Sequence, residues 1–306
     1  MGSFIRTENV LLTKKQVETL TFNLSSMKTS TSSAASSSSS LGESLKSGFA
    51  ASVIVIELII GFIVWKFVLG DPSHFVGGDP ENHPLEGDYF GIFYKGGYLV
   101  PLAIGLLLMT LTFAIERIIT IGRAKGKGNI KTFVQRIRSL INAGNISQAI
   151  AECDKQKGSV ANVVKAGLSK YTELVNNNTI EPEKKIAMVQ KDIEETTSLE
   201  MPMLEKNLVI LATIASIATL IGLLGTVLGM IKAFAGLAQA GAPDSVGLAN
   251  GISEALINTA LGIGTSALAI IFYNFFTSKI DELTYGIDEA GYSIVQNFTA
   301  TQKGHH

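Results

Sequence analysis

The sequence predicts an all-α integral membrane protein: four transmembrane helices with long cytoplasmic helical extensions, packed as an oligomeric bundle. Three observations carry this expectation. Apolar residues make up 46% of the 306 residues and charged residues only 17%, against roughly 25% charged in ordinary soluble domains, and the mean hydropathy is +0.32. The apolar residues gather in four blocks, each near the roughly 20-residue length of a bilayer crossing. After the fourth block the apolar residues recur at steps of three and four, the stripe of an amphipathic helix.

Taken in order, residues 1–47 read as a disordered lead-in, because 30–40 is STSSAASSSSS, which cannot bury enough apolar surface to fold. Met27 is a plausible alternative start, making 1–26 an upstream extension, and His305-His306 resembles a tag remnant. Residues 48–70 form the first span, which carries Glu57 and Lys66. Its apolar stretch is too long for a signal peptide, and no small-x-small cleavage site follows. A loop over 71–97 leads to the second span at 98–121, which closes on Glu116-Arg117. Residues 122–206 read as helices over 130–143, 146–155, 159–175 and 183–199, with a turn at Asn142-Ala-Gly-Asn145. Pro202 should kink or restart the last of these. The third span covers 207–238, a loop 239–250, the fourth span 251–277 and a helical tail 278–306. Ile280, Leu283, Ile287, Ala290, Ile294 and Phe298 form the tail's stripe, and no proline interrupts 251–299, so span and tail read as one helix.

Orientation follows from the basic residues in the flanks. Between 117 and 139 stand Arg117, Arg123, Lys125, Lys127, Lys131, Arg136 and Arg138, with no acid. The 70–97 loop sets Lys95 against Asp71, Asp79, Glu81, Glu86 and Asp88, and 239–250 has no basic residue. The long segment and both termini are therefore expected in the cytoplasm, and the two short loops outside, in the periplasm.

Several classes are set aside. The net charge of −1 gives no case for nucleic acid, and the inside bias explains the basic run. Cys153 stands alone, which excludes an internal disulfide and suits a small packing residue. His74 and His83 share an acidic loop with three prolines; a metal site there is conceivable, a solvated surface the plainer reading. No His-Cys cluster, phosphate loop or nucleophile elbow occurs, so neither an enzyme, a cofactor nor a metal is expected.

The third span reads IATLIGLLGTVLGMIKAF over 217–234. Ala218/Gly222 and Gly225/Gly229 are small-xxx-small pairs that let helices approach closely in lipid. Thr213, Ser216, Thr219 and Thr226 need polar partners there. They either bond back to their own helix or line a polar path. In the fourth span Glu254, Asn258 and Thr265 fall on one face, and Thr259 and Ser266 on a neighbouring one. A carboxylate at the head of a span is a functional candidate by default; the alternative is an interfacial residue favoured by the helix dipole. Glu57 is open in the same way, either pairing with a neighbouring helix or serving a role the sequence does not name.

Gly222-Leu-Leu-Gly-Thr-Val-Leu-Gly229, followed by Gly251-Ile-Ser-Glu-Ala-Leu-Ile-Asn-Thr-Ala260, resembles the paired signature of the MotA/TolQ/ExbB proton-channel family, most closely its ExbB branch. The resemblance runs from about 98 to 298 and includes Glu116-Arg117 and Gly144-Asn-Ile-Ser-Gln-Ala149. It implies a homopentamer in a bacterial inner membrane, enclosing the helices of an ExbD-like single-span partner that supplies an ion-carrying aspartate. The pore hydroxyls would map to Thr226 and Thr259, with Glu254 near one end of the proton pathway. The implied function is to use proton motive force to energise TonB-dependent transport at the outer membrane, through a TonB-like protein. A TolQ-like or motility-stator subunit, or a non-conducting membrane scaffold, are the alternatives. Two departures stand out. Thr219 occupies the place of a usual proline before the glycine run, and the first span lies outside the resemblance.

Overall fold

The computed structural model describes residues 39–177, 179–238 and 244–303, with the backbone alone for 39–50 and 303. The expectations for residues 1–38, for Met27 as a start and for His305-His306 lie outside the described residues. Two compact units divide between Ile56 and Glu57. The described part of the first is the opening of helix α1 (Ser39–Ile63); all that follows concerns the second. The helix begins inside the stretch read as lead-in, because Leu41, Glu43, Leu45 and Lys46 are good helix formers.

Four helical stretches are long and apolar enough to cross a bilayer, within Ala51–Leu69, Gly97–Asn142, Pro182–Leu237 and Ser245–Gln302. Apart from one isolated bridge, Phe75 with Pro84, the described residues are helix, turn and loop. The first span ends in a π-helical turn, Val64–Leu69, that buries Trp65 and Leu69. The 71–97 loop is folded. It holds a short helix α2 (Tyr89–Tyr94) whose cap, Asp88, accepts from the Phe90 and Gly91 N–H groups at 2.9 and 3.1 Å. The Trp65 ring stacks on Tyr94 at 5.0 Å, and Phe75 meets that tyrosine in an edge contact at 5.4 Å.

Helix α3 (Val100–Lys125) begins with Pro101 in its first turn, where the missing N–H costs nothing. Gly126 and Gly158 both sit at positive φ, and the main chains of Ala124, Gln156 and Lys157 crowd their hydrogens. No side chain fits at either, so α3 docks by backbone on the junction between α5 (Ile146–Gln156) and α6 (Gly158–Val175). Asn129 caps α4 (Ile130–Asn142) through the Lys131 N–H at 2.9 Å.

Helix α7 (Pro182–Glu205) runs through Pro202. The break falls at Lys206-Asn207, where Asn207 takes φ +66, before α8 (Leu208–Leu237) starts. At this junction Arg117, 2% exposed, is bound by both Glu116 oxygens at 2.6 and 2.5 Å and donates to the Leu204 carbonyl at 3.0 Å. Glu116 also accepts from Thr120 and Asn207, so the charged pair ends the second span as a satisfied cluster rather than a lone charge.

Helix α9 (Ser245–Lys303) is 59 residues long, about 90 Å at 1.5 Å per residue. It starts six residues earlier than the sequence suggests, because Asp244 accepts from the Val246 and Gly247 N–H groups and caps it. Its far stripe, Ile280 to Phe298, is at most 4% exposed and packs on α4, α6 and α7. Tyr171 seals this core, its ring against Phe298 at 4.8 Å and its hydroxyl on Asn297 at 3.1 Å.

Candidate functional site in the α8–α9 hairpin

The candidate site is built on two antiparallel helices held together by small residues. Ala218, Gly222, Gly225, Gly229 and Ala233 form one buried stripe of α8. Gly229 faces Gly251 and Ala255, Gly225 the Asn258 side chain, and Gly222 the backbone of Thr259 and Gly262. A methyl group on Gly229 would lie 2.6 Å from the Gly251 carbonyl oxygen, and one on Gly262 would lie 2.5 Å from that of Ala218. Such backbone proximity is the basis of helix association in lipid.

Thr226 and Thr259 are both half-buried on this pair. The Thr259 Oγ1 lies 3.2 Å from the Gly222 carbonyl and 2.9 Å from that of Ala255, so its one proton bridges the two helices. Thr226 stands one turn beyond Gly222, about 6 Å along the axis, and donates to the Leu223 carbonyl at 2.5 Å. Thr213, Ser216 and Thr219 bond back to Val209, Ala212 and Ala215 in the same way. Each hydroxyl thus spends its proton on a carbonyl and keeps its acceptor lone pairs, the half of a relay that receives a proton.

Glu254 lies ten residues beyond the Asp244 cap, so the helix dipole does not account for it. Its carboxylate instead accepts from Lys232 Nζ at 2.8 Å, with side-chain exposures of 16% and 64% for acid and lysine, and it sits over Gly97. Gly97 holds φ +78, and any side chain there would strike the carboxylate. Next to it, Asn258, 2% exposed, donates to the Gly96 carbonyl at 2.7 Å and to that of Glu254 at 2.9 Å. The loop before the second span is therefore latched to the head of the fourth. Thr265 and Ser266 are buried as well, Ser266 donating to the Ala215 carbonyl at 2.6 Å.

The structure brings Thr226, Thr259 and Glu254 onto one hairpin, with Glu254 toward its short-loop end. It turns Asn258, Thr265 and Ser266 inward. Sequence reasoning missed Lys232 as the partner of Glu254. The signal was present, since both stand near the ends that one hairpin loop joins. It also missed the Gly96-Gly97 latch, whose only trace is a glycine pair. Glu57 accepts from Thr112 at 2.7 Å, which ties the first span to the second. His74 pairs with Asp88 at 2.7 Å, and the hydrogen bonds of the ring and of the Gly91 N–H hold the Asp88 carboxyl below its usual range. No three His, Cys, Asp or Glu side chains come together in a metal-binding group among the described residues.

A multi-pass helical membrane protein with a glycine-packed, hydroxyl-bearing hairpin is the class these features define. Residues 155–289 match the sequence profile of the MotA/TolQ/ExbB proton channel family. Among curated relatives, the Tol-Pal system protein TolQ of Pseudomonas aeruginosa is 29% identical over 51% of this chain and 68% of its own length. TolQ of Haemophilus influenzae is 28% identical over 66% of this chain and 91% of its own. The biopolymer transport protein ExbB of Salmonella typhimurium is 41% identical, over 23% and 29% of the two chains.

Proposed function

We propose that this chain is the proton-conducting subunit of an inner-membrane motor that uses proton motive force to energise TonB-dependent transport at the outer membrane. In this reading the chain forms a homopentamer around an ExbD-like single-span partner, and a TonB-like protein carries the work outward. The two termini and residues 122–206 face the cytoplasm. The supporting observation is the placement of Thr226 and Thr259 on successive turns of one glycine-packed seam, inside the family segment, each with open acceptor lone pairs. A hydroxyl both donates and accepts without a fixed charge, whereas a buried charge repeated in each subunit would be costly. The driving force is about 2.3 kcal/mol per charge per 100 mV.

A TolQ-like role is the second reading, supported by the TolQ relative whose length is 91% covered. One experiment addresses both. The double variant Thr226→Val, Thr259→Val keeps shape and removes both hydroxyls. It should assemble normally with its partner and lose nearly all proton-dependent work. Work is read as TonB-dependent nutrient uptake and, separately, as outer-membrane integrity; the readout that collapses names the system. Wild-type work in an assembled double variant would refute the pathway.

A further inference from the structure

At the other end of the hairpin from Glu254, a groove of about 540 Å³ opens between α8 and α9. Its polar lining is Glu205, Thr213, Ser216, Tyr273, Thr277 and Asp281. Both carboxylate residues are exposed and stand at the membrane-boundary end of the helices, just before Leu208 and just after Phe276. Ser216 lies eight residues into α8, about 12 Å deep at 1.5 Å per residue. The Thr277 Oγ1 is buried with no hydrogen-bond partner in the protein. The exposed Thr213 and Ser216 offer hydroxyl partners to water in the groove, and each water needs only about 30 Å³.

The groove continues the side of the hairpin that bears the two threonines. Steps of seven residues keep to one side of a helix, drifting only about 20° each. On α8 they lead from Thr226 through Thr219 to Ala212, and on α9 from Thr259 through Ser266 and Tyr273 to Ile280, beside Asp281; Glu205, the last residue of α7, stands just across the break at Asn207. Ala212, Tyr273 and Ile280 line the groove together with the acids. Thr226 stands ten positions beyond the groove's inner end at Ser216, about 15 Å, with the Thr219 hydroxyl on the way.

We propose that this groove is the water-filled cytoplasmic half of the proton route, and that Glu205 and Asp281 are the groups that exchange protons with the cytoplasm. The proposal rests on the proton-conducting reading above. A proton leaving Thr226 passes by way of Thr219 and water to the groove. A carboxylate at its mouth accepts the proton and releases it to bulk water, so the carboxylate regains its charge and nothing is consumed.

The test uses the full chain assembled with its partner. Ser216→Cys and Thr213→Cys, at exposed positions on the groove, should react with a charged, membrane-impermeant thiosulfonate added from the cytoplasmic side. Ile115→Cys, on the outward face of the second span and 59% exposed, should not. Native Cys153 stays silent, since it is 2% exposed and burial pushes its thiol up to about 12. In proteoliposomes the Glu205→Gln, Asp281→Asn variant should lower proton flux about tenfold or more, as loss of a positioned proton carrier does. The single variants, at exposed positions, carry this arm if the double variant fails to assemble. Unlabelled Ser216→Cys and Thr213→Cys overturn the proposal, and so does unchanged flux in the acid variants. If the acid variants conduct normally while Thr226→Val, Thr259→Val abolishes flux, the route leaves elsewhere and the channel reading stands. If the threonine variant itself conducts normally, the channel reading falls.

Discussion

Helix α9 is one uninterrupted rod, yet its two halves are packed by opposite rules. From Gly251 to Ala269 the side turned to the rest of the protein carries Gly251, Ala255, Asn258, Gly262, Ser266 and Ala269, while Leu256, Ile263, Ile270 and Ile271 point away. From Ile280 to Phe298 the order reverses, with Ile280, Leu283, Ile287, Ile294 and Phe298 inside and Tyr285 and Tyr292 outside. On the proposed topology the difference follows the solvent. Lipid tails are as apolar as leucine, so burying a leucine there gains nothing, and helices join where backbones approach closely. In water each buried Å² of apolar surface contributes about 25 cal/mol, and large side chains go in. On the proposed topology, the switch between Phe276 and Ile280 is where the helix changes medium.

Truncation of a large side chain should separate the halves most widely. Phe298→Ala empties a site that is 0% exposed and should cost about 3–5 kcal/mol in thermal unfolding of the purified protein. Ile271→Ala, at a residue 61% exposed, should cost less than about 0.5 kcal/mol. Comparable losses at both would break the comparison and show that the assembled complex covers the Ile271 face with protein.

Adding a methyl group should give the opposite ranking. On Gly262 it meets the Ala218 carbonyl oxygen at 2.5 Å and the Gly222 Cα at 2.7 Å. Both are backbone, so Gly262→Ala should cost about 1–3 kcal/mol and loosen the hairpin. On Gly291 the nearest atom is the Ile193 Cγ2 at 3.2 Å, a side chain that can move. Gly291→Ala also gains up to about 1 kcal/mol of helix propensity, so it should be neutral or stabilising. The same unfolding assay, run on the two alanine variants side by side, reads the sign.

Both rules were legible in the sequence to different depths. The Ile280–Phe298 stripe announces its buried side by spacing alone, because water forces the apolar side inward. The Gly222, Gly225 and Gly229 pattern announces a close approach, but periodicity cannot say what approaches. Asn258 and the Gly96 carbonyl are 162 residues apart, and their meeting depends on how the 71–97 loop folds. That loop takes its order from scattered aromatics, Trp65, Phe75 and Tyr94, which have no period to betray them. Pro202 lies inside α7, and the restart expected near it comes at Leu208, after Asn207, whose positive φ no spacing rule anticipates.

The smallest expected effect bears on whether polar contacts, rather than close approach, hold the membrane half together. Ser266 makes a short bond across the hairpin, 2.6 Å to the Ala215 carbonyl, and in hydrocarbon such a bond invites a large value. The acceptor argues against one. Ala215 also takes the Thr219 hydroxyl at 3.4 Å and lies within the regular hydrogen bonding of α8, so removing the serine leaves no orphaned carbonyl. What is lost is one donor, and its replacement by hydrogen on a small residue opens almost no cavity. Interhelical hydrogen bonds in membranes average about 0.6 kcal/mol and reach about 1.7, and Ser266→Ala should fall at or below that mean in the same unfolding measurement. A loss well above 2 kcal/mol would mean that the hairpin is held by its hydroxyls as much as by its glycines. The threonine-to-valine test of the proton route would then need a stability control of its own, since Thr259 makes a bond of the same kind to Gly222.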